Sequence, residues 1–313
     1  MLNTPVLFIV FNRLDTARIV FERIKEIKPK YLYIAADGPR LDREGEANNC
    51  KIVREYLLNT IDWNCEIRTL FHETNLGCKY AVSGAIKWFF QNVDAGIVLE
   101  DDCFPTISFF KYCERLLDVY KNDPNVGLIS GFNYFGKTND QNDYEFVTTC
   151  GIWGWASWRR VISGYNPDFS VLLDKDINSV NTICVRDACG RSFLKHSLLA
   201  AKNEINTWDY QFGEYLIVNN LFTVIPSINQ IRNIGFIENS THTPTTPSWY
   251  IDQHYEFQNE IRINRKVKLN RNLSFKIEAL YLPEKRNKTS ELIRIIKRFM
   301  KRVFISKKHS VLI

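Results

Sequence analysis

Three consecutive carboxylates, Glu100, Asp101 and Asp102, close the run AGIVLEDD at 95–102. The residues just before them, 96–99, are glycine and aliphatics and read as a short buried strand. Adjacent carboxylates repel each other and resist burial, so grouping them serves a chain only where something offsets their charge. Two arrangements do this. Asp101 or Asp102 can cap a helix beginning near 105–107. Alternatively, the group can receive a hard divalent cation, Mn²⁺ or Mg²⁺, whose preferred ligands are carboxylate oxygens. A cation held there can bridge a side chain and both phosphates of a nucleoside diphosphate, and offset charge on a departing diphosphate. The strand end suits the second arrangement, because α/β sheets bind ligands at the carboxyl ends of their strands.

The elements that must hold these acids alternate along the first third. Strand-like runs at 5–11, 31–36, 65–71, 96–99 and 126–130 are separated by helical spacing at 14–27, 43–58, 77–91 and 107–120. This predicts an α/β fold with a mostly parallel sheet flanked by helices. Asp37 follows the second strand, on the same edge as the acid triplet. Composition changes near 131. Beyond it come a polar loop at 136–144, helical patterns at 189–203 and 209–218, a short strand at 221–225 and a Pro/Thr/Asn-rich loop at 234–248. Three units are expected: 1–131 holding the ligand edge, 132–284 packed on the same sheet, and a tail at 285–313. Trp153, Trp155 and Trp158 in CGIWGWASW serve either the core or, flanked by glycine, a stacking surface for a sugar ring. His196 and His254 read as ordinary helix or core residues.

With 45% hydrophobic and 13% aromatic residues in 313, the chain can bury a sizeable core, which excludes general disorder. No apolar run approaches the roughly 20 residues of a membrane span. The stretch 6–11 lacks the flanks of a signal peptide, so a cytosolic setting is expected. Eight cysteines show neither a CxxC pair nor zinc-site spacing and read as reduced thiols. Sequons beginning at Asn239, Asn272 and Asn287 do not argue for secretion. The formal charge is +6, but residues 285–313 hold ten Lys or Arg and one acid, leaving 1–284 at −3. A basic tail on an acidic body argues against a nucleic-acid-binding core.

The order strand, strand–Asp–Gly, strand–acid triplet resembles the GT-A fold of nucleotide-sugar glycosyltransferases. More narrowly it resembles the group that includes β-1,2-N-acetylglucosaminyltransferase I. The matching stretches are PVLFIVFNRLDTARIVFERI (5–24), AADG (35–38), NLG (75–77), IVLEDD (97–102) and FIENSTHTPTTPSWYIDQHYEF (236–257). GIWGWASW and TWDYQF resemble bacterial sugar transferases of envelope-polysaccharide clusters. Together they span about 5–260. The resemblance implies that Arg13 and Asp37 contact the nucleotide, Asp37 at the base edge. It implies that Glu100 and Asp101 contact sugar and ribose, and that Asp102 is the one protein ligand of the metal. His72 stands nearest the family's histidine before its LG turn, offset by one residue. The stretch around His242 matches a segment that orders over bound donor. Asp209 in NTWDYQF matches the family's general base, which takes the acceptor hydroxyl's proton as it attacks C1. It also fits a plain helix-terminal acid, and Asp187, Asp174 and Glu214 are lesser rivals.

ELIRIIKRFMKRVF at 291–304 puts its apolar residues in one arc of about 140° and its cations in the opposite one. Such a helix at 289–304 suits an anionic membrane surface, or docking on the body or a partner chain. The expected activity is therefore a metal-dependent, inverting transfer from a nucleotide-diphosphate sugar, UDP-linked by resemblance, to a glycan or lipid-linked acceptor of bacterial surface polysaccharide. The expected place is the inner face of the cell membrane. A nucleotidylyltransferase would carry a Gly-rich loop after its first strand, where FNRLDTA has none. A degenerate transferase that only binds nucleotide sugar or glycan, and a membrane-bound scaffold, are the readings outside catalysis.

Overall fold

The computed structural model describes residues 1–138, 142–148, 151–175, 188–236, 250 and 252–280. Apolar runs without polar breaks form β1 (Val6–Val10), β2 (Tyr31–Ala36) and β4 (Ala95–Glu100), as strands covered on both faces require. β3 (Glu66–Phe71) is more polar and more exposed, matching its place at the sheet edge. β1 pairs in parallel with β2 and β4, and β2 with β3. The helices α1 (Leu14–Ile27), α2 (Glu46–Thr60) and α3 (Gly77–Asn92) make the connections. α2 begins at Glu46, not at 43, because Gly45 adopts a left-handed φ of +76° that ends the preceding turn. This half is Rossmann-like, with β1, β2 and β4 ending on one edge.

The later elements are β5 (Cys103–Pro105), α4 (Ile107–Val119), β6 (Val126–Ser130), β7 (Tyr144–Val147), β8 (Trp155–Trp158) and α5 (Arg159–Ile162). They continue with α6 (Ala188–Ala201), α7 (Asp209–Val218), β9 (Phe222–Pro226), β10 (Ile231–Asn233) and α8 (Arg271–Leu280). Among the described residues the main sheet has eight strands in the order β3-β2-β1-β4-β8-β6-β9-β7. β6 does not follow β4 directly, as the strand–helix alternation suggests. β8 lies between them, antiparallel to both.

The residues WASW explain the insertion. Alternation sends Trp155 to one face, against Phe90 and Phe212 with ring centroids 6.3 and 5.5 Å away. Trp158 goes to the other face, where its indole N–H donates to the Leu117 carbonyl at 3.1 Å. At 1% and 3% exposure, both tryptophans belong to the core, each contributing on the order of 3 kcal/mol of burial. Only Trp153 remains at a surface. Ser157 and Ala156, both fully buried, let the flanking strands close over the short strand.

Among the described residues no helix is long and apolar enough to cross a membrane. Most of the 234–248 loop, with His242, and the tail from 281 onward, with its amphipathic pattern at 289–304, lie outside the described residues, as does Asp187.

Candidate active site

Because β1 and β4 are register neighbours, with Ile9 opposite Glu100, the turns that follow them lie side by side. Arg13, in the turn before α1, donates from Nη2 to Asp101 Oδ1 and, at 3.0 Å, to Asp102 Oδ2. Glu100 ends β4, Asp101 is 5% exposed, and Asp102 is part-exposed. The second oxygen of Asp101, Oδ2, is buried with no hydrogen-bond partner. Burial alone would lower the Arg13 guanidinium, but Asp101 and Asp102 outweigh it and hold its pKa above the ordinary value. Burial, then Asp102, Asp101 and Asp209, push the Glu100 carboxyl up to about 8. Burial also pushes Asp101 up to about 6, with Arg13 opposing and Asp102 adding.

The capping alternative does not hold. α4 is capped by the Thr106 hydroxyl, which accepts from Phe109 N at 3.1 Å. The Glu256 carboxylate takes the amides of Ile107 and Ser108 at 2.9 and 2.7 Å. Neither Asp101 nor Asp102 serves that helix, so their clustering has another cause.

Asp37, at the end of β2, is tied into the protein. Its Oδ1 accepts from the amides of Gly38 and Leu76 at 2.8 and 2.9 Å. Its Oδ2 accepts from Asn75 Nδ2 and the Gly77 amide at 2.8 and 3.1 Å. Four donors use the full accepting capacity of a carboxylate. A nucleotide base approaching here meets a group already committed to holding the NLG turn. The turn comes so close that a Cβ on Gly38 would lie 2.3 Å from the Thr74 carbonyl carbon, and Gly77 needs its φ of +77°. His72 follows β3 on the same edge. Its carbonyl and that of Asp37 both accept from Arg54 Nη2, at 2.8 and 2.9 Å.

The facing wall comes from the second half. Asp209 is the first residue of α7, where the helix dipole favours a negative group, and the Thr207 hydroxyl donates to its Oδ1. Asn206, three residues earlier, accepts the Lys79 amide at 2.9 Å and so ties this segment to the first turn of α3. Of the rival acids, Asp174 is exposed and outside the cleft. Glu214 is buried on α7 and accepts from Val171 N at 2.8 Å, Ser170 Oγ at 3.0 Å and Ser197 Oγ. Its job is to join α6 and α7 to the 170–171 turn.

Burial raises the Glu214 pKa above the ordinary 4.5, against the opposing hydrogen bonds. Between 4.5 and the raised value the unfolded chain has lost this proton and the native state retains it. The group's contribution to stability is therefore full below pH 4.5 and declines as pH rises through the folded value. Glu214→Gln should flatten that descent in urea melts taken from pH 4.5 to 7.5 and leave donor affinity unchanged; an unaltered slope would show that Glu214 titrates normally.

One cleft of about 470 Å³ gathers Arg13, Asp37, His72, Glu100, Asp101, Asp102 and Asp209, which are all of the sequence-predicted site residues except His242. That volume suits a small organic ligand. Its apolar side is an aromatic wall that sequence reading missed apart from Trp153: Trp153 lies 4.6 Å from Phe132 and 5.5 Å from Phe236 between ring centroids, and Tyr134 lies 4.9 Å from Phe132. Phe132, Tyr134 and Phe236 carry no shared spacing with Trp153 that would group them in the sequence. Arg40, Cys78 and Asn206 also line the cleft unforeseen. Arg40 stands two residues after AADG, and that proximity was the one available signal. It is bound to the buried Glu46, whose carboxyl Arg40 holds below its usual range. Burial, then Glu100 and Asp209, raise the Cys78 thiol, which keeps it neutral.

No family model and no curated protein matches the chain. Among solved structures, a UDP-glucose pyrophosphorylase complexed with UDP-glucose is similar at 7% identity and a TM-score of 0.37, over 73% of this chain and 92% of that one. HddC from Yersinia pseudotuberculosis is similar at 15% identity and a TM-score of 0.35, over 55% and 84%. A197 from STIV is similar at 10% identity and a TM-score of 0.36, over 74% and 85%. Likenesses this distant carry no argument about chemistry, which rests on the cleft itself.

Proposed function

We propose that this chain is a metal-dependent glycosyltransferase that uses a nucleotide-diphosphate sugar. The observation that carries the reading is the charge balance of the cleft. Three carboxylates meet at the end of β4 with Arg13 as their partner, and a fourth, Asp209, faces them. Among the described residues, the two guanidinium groups that line the cleft are both paired with acids, Arg13 with Asp101 and Asp102, Arg40 with Glu46. A bare diphosphate would be repelled by such a surface. A diphosphate carrying a divalent cation would be attracted.

The residues fit such a cation. The donors are all carboxylate oxygens, which suit Mn²⁺ or Mg²⁺, and the unpartnered Asp101 Oδ2 leaves negative charge to be met. Asp102, part-exposed to the cleft, would be the metal ligand. Among the described residues no group of three or more His, Cys, Asp or Glu could hold an ion by itself, so the donor's phosphates and water would complete the shell. When bound, the cation would act as a Lewis acid on the departing diphosphate. Arg13 fixes the orientation of Asp101 and Asp102. Glu100, at the end of β4 in the same cleft, is placed to hydrogen-bond a sugar or ribose hydroxyl. Asp209 takes the acceptor hydroxyl's proton, and the aromatic wall packs against the acceptor's apolar face. Attack from that side, opposite the diphosphate, gives inversion. The tail pattern at 289–304 supports a peripheral place on the cytoplasmic face of a membrane, and with it a lipid-linked acceptor.

The test is calorimetry of nucleotide diphosphates and their sugars, with Mn²⁺ and with EDTA. One nucleotide family should bind in a metal-dependent way. Asp102→Ala should reduce its affinity in Mn²⁺ to the level measured in EDTA. Binding that is equal with and without metal, or absent from a folded sample, would overturn the assignment.

A further inference from the structure

We propose that the outward face of α8, with the segment leading into it, is a docking surface for an anionic lipid bilayer. α8 buries Leu273, Ser274 and Ile277. At about 100° per residue the opposite side presents Arg271, Phe275 and Lys276. Phe275 is 60% exposed, an unusual place for a large ring. The preceding residues add exposed Arg265, Lys266 and Lys268, anchored by the Leu269–Phe146 bridge along the free edge of β7. Among the described residues, Arg262 is the member of this stretch that forms an ion pair, with Asp143, and the five cations from Arg265 to Lys276 form none.

Cations around an outward ring match the two layers of a lipid surface. Guanidinium and ammonium groups meet phosphates, while the ring enters the boundary between headgroups and acyl chains. A polyanion in solution would use the charges but leave Phe275 in water. Continuity points the same way, because four residues separate the end of α8 from a sequence that holds ten Lys or Arg and one acid from 285 onward. The inner side of α8 shares a hydrophobic cluster with Phe132 and Tyr134, which line the cleft. Docking through α8 would thus bring the aromatic wall within about one helix diameter, roughly 10 Å, of the headgroups. That last consequence rests on the transferase reading, but the docking itself does not.

The experiment uses the full chain and sedimentation with phosphatidylcholine vesicles, either pure or holding about 30% phosphatidylglycerol. The chain should bind the anionic vesicles and not the neutral ones. Arg271→Glu with Lys276→Glu should weaken partitioning about tenfold or more, and Phe275→Ser several-fold, with circular dichroism unchanged. The same losses should appear on a background in which Lys297, Arg298, Lys301 and Arg302 are changed to Glu. Unchanged partitioning of the α8 variants, with binding lost only in the tail variant, would overturn this inference and leave the tail's role standing. Binding of the α8 face to heparin or RNA without binding to vesicles would also overturn it.

Discussion

Asp209→Asn should bind the donor with unchanged affinity and transfer sugar slower by a factor on the order of 10²–10⁴, the usual cost of removing a positioned general base. The substitution keeps the shape and the hydrogen bond from the Thr207 hydroxyl, since the amide oxygen can still accept it. It removes the charge that can take a proton. Among the described residues no hydrogen bond or ion pair links Asp209 to Arg13, Asp101 or Asp102; it reaches the acid triplet through its charge on Glu100. Donor affinity measured by calorimetry should therefore not move, while single-turnover transfer should. The separation is the decisive point. A merely structural acid at the start of α7 would lower stability and both quantities together. Near-normal turnover in Asp209→Asn would remove it as the base, and donor binding without turnover in the wild-type chain would favour a degenerate, binding-only protein.

The cleft owes its two-sided character to the sheet. The parallel half brings Arg13, Asp37, His72 and the acid triplet to one edge by register alone, and this part was legible in the sequence. Unbroken apolar runs marked the strands, and the acids at the ends of β2 and β4 marked the edge. What was not legible depended on partners distant in the chain. WASW gives no alternation of polar and apolar residues because β8 is buried on both faces, so its strand character was hidden. β5 and β10 are three residues each and exist only because they pair with one another. The role of Asp37 illustrates the same limit at a single residue. The sequence shows an acid after a strand, and only the fold shows that four protein donors already occupy it. The rest of the aromatic wall was missed for a related reason: Phe132 and Phe236 come from separate loops, and no period links them to Trp153.

The segment that delivers Asp209 depends on a lysine that sequence reading also passed over. Lys79 lies in the first turn of α3 and is 1% exposed, a rare state for this residue type. Its Nζ donates to the Ala200 carbonyl at 3.0 Å, to Asn203 Oδ1 at 2.7 Å and to Asp168 Oδ1 at 2.8 Å. The ammonium thus closes the carboxyl end of α6, where carbonyls lack helix partners and the dipole is negative. Asn203, with a φ of +61°, turns the chain there towards Asn206 and Asp209. Lys79→Met keeps the stem and removes the charged donors, leaving the Ala200 carbonyl with the Asn203 amide at 3.1 Å and Asn203 Oδ1 with the Tyr80 hydroxyl at 3.2 Å as their remaining partners. Asp168 is half-exposed and can return to water, so its charge adds little to the cost. The expected loss is about 1.5–3 kcal/mol, the range for hydrogen bonds to a charged group, or roughly 2–5 °C in Tm for a chain of this length. Amide exchange should accelerate at 200–209 more than in the parallel half, because the latch holds that segment. Transfer should fall further than the lost stability accounts for, since Asp209 loses its fixed position. A destabilisation below about 0.5 kcal/mol with unchanged exchange would mean that water replaces the ammonium and that α6 and α7 hold Asp209 without it.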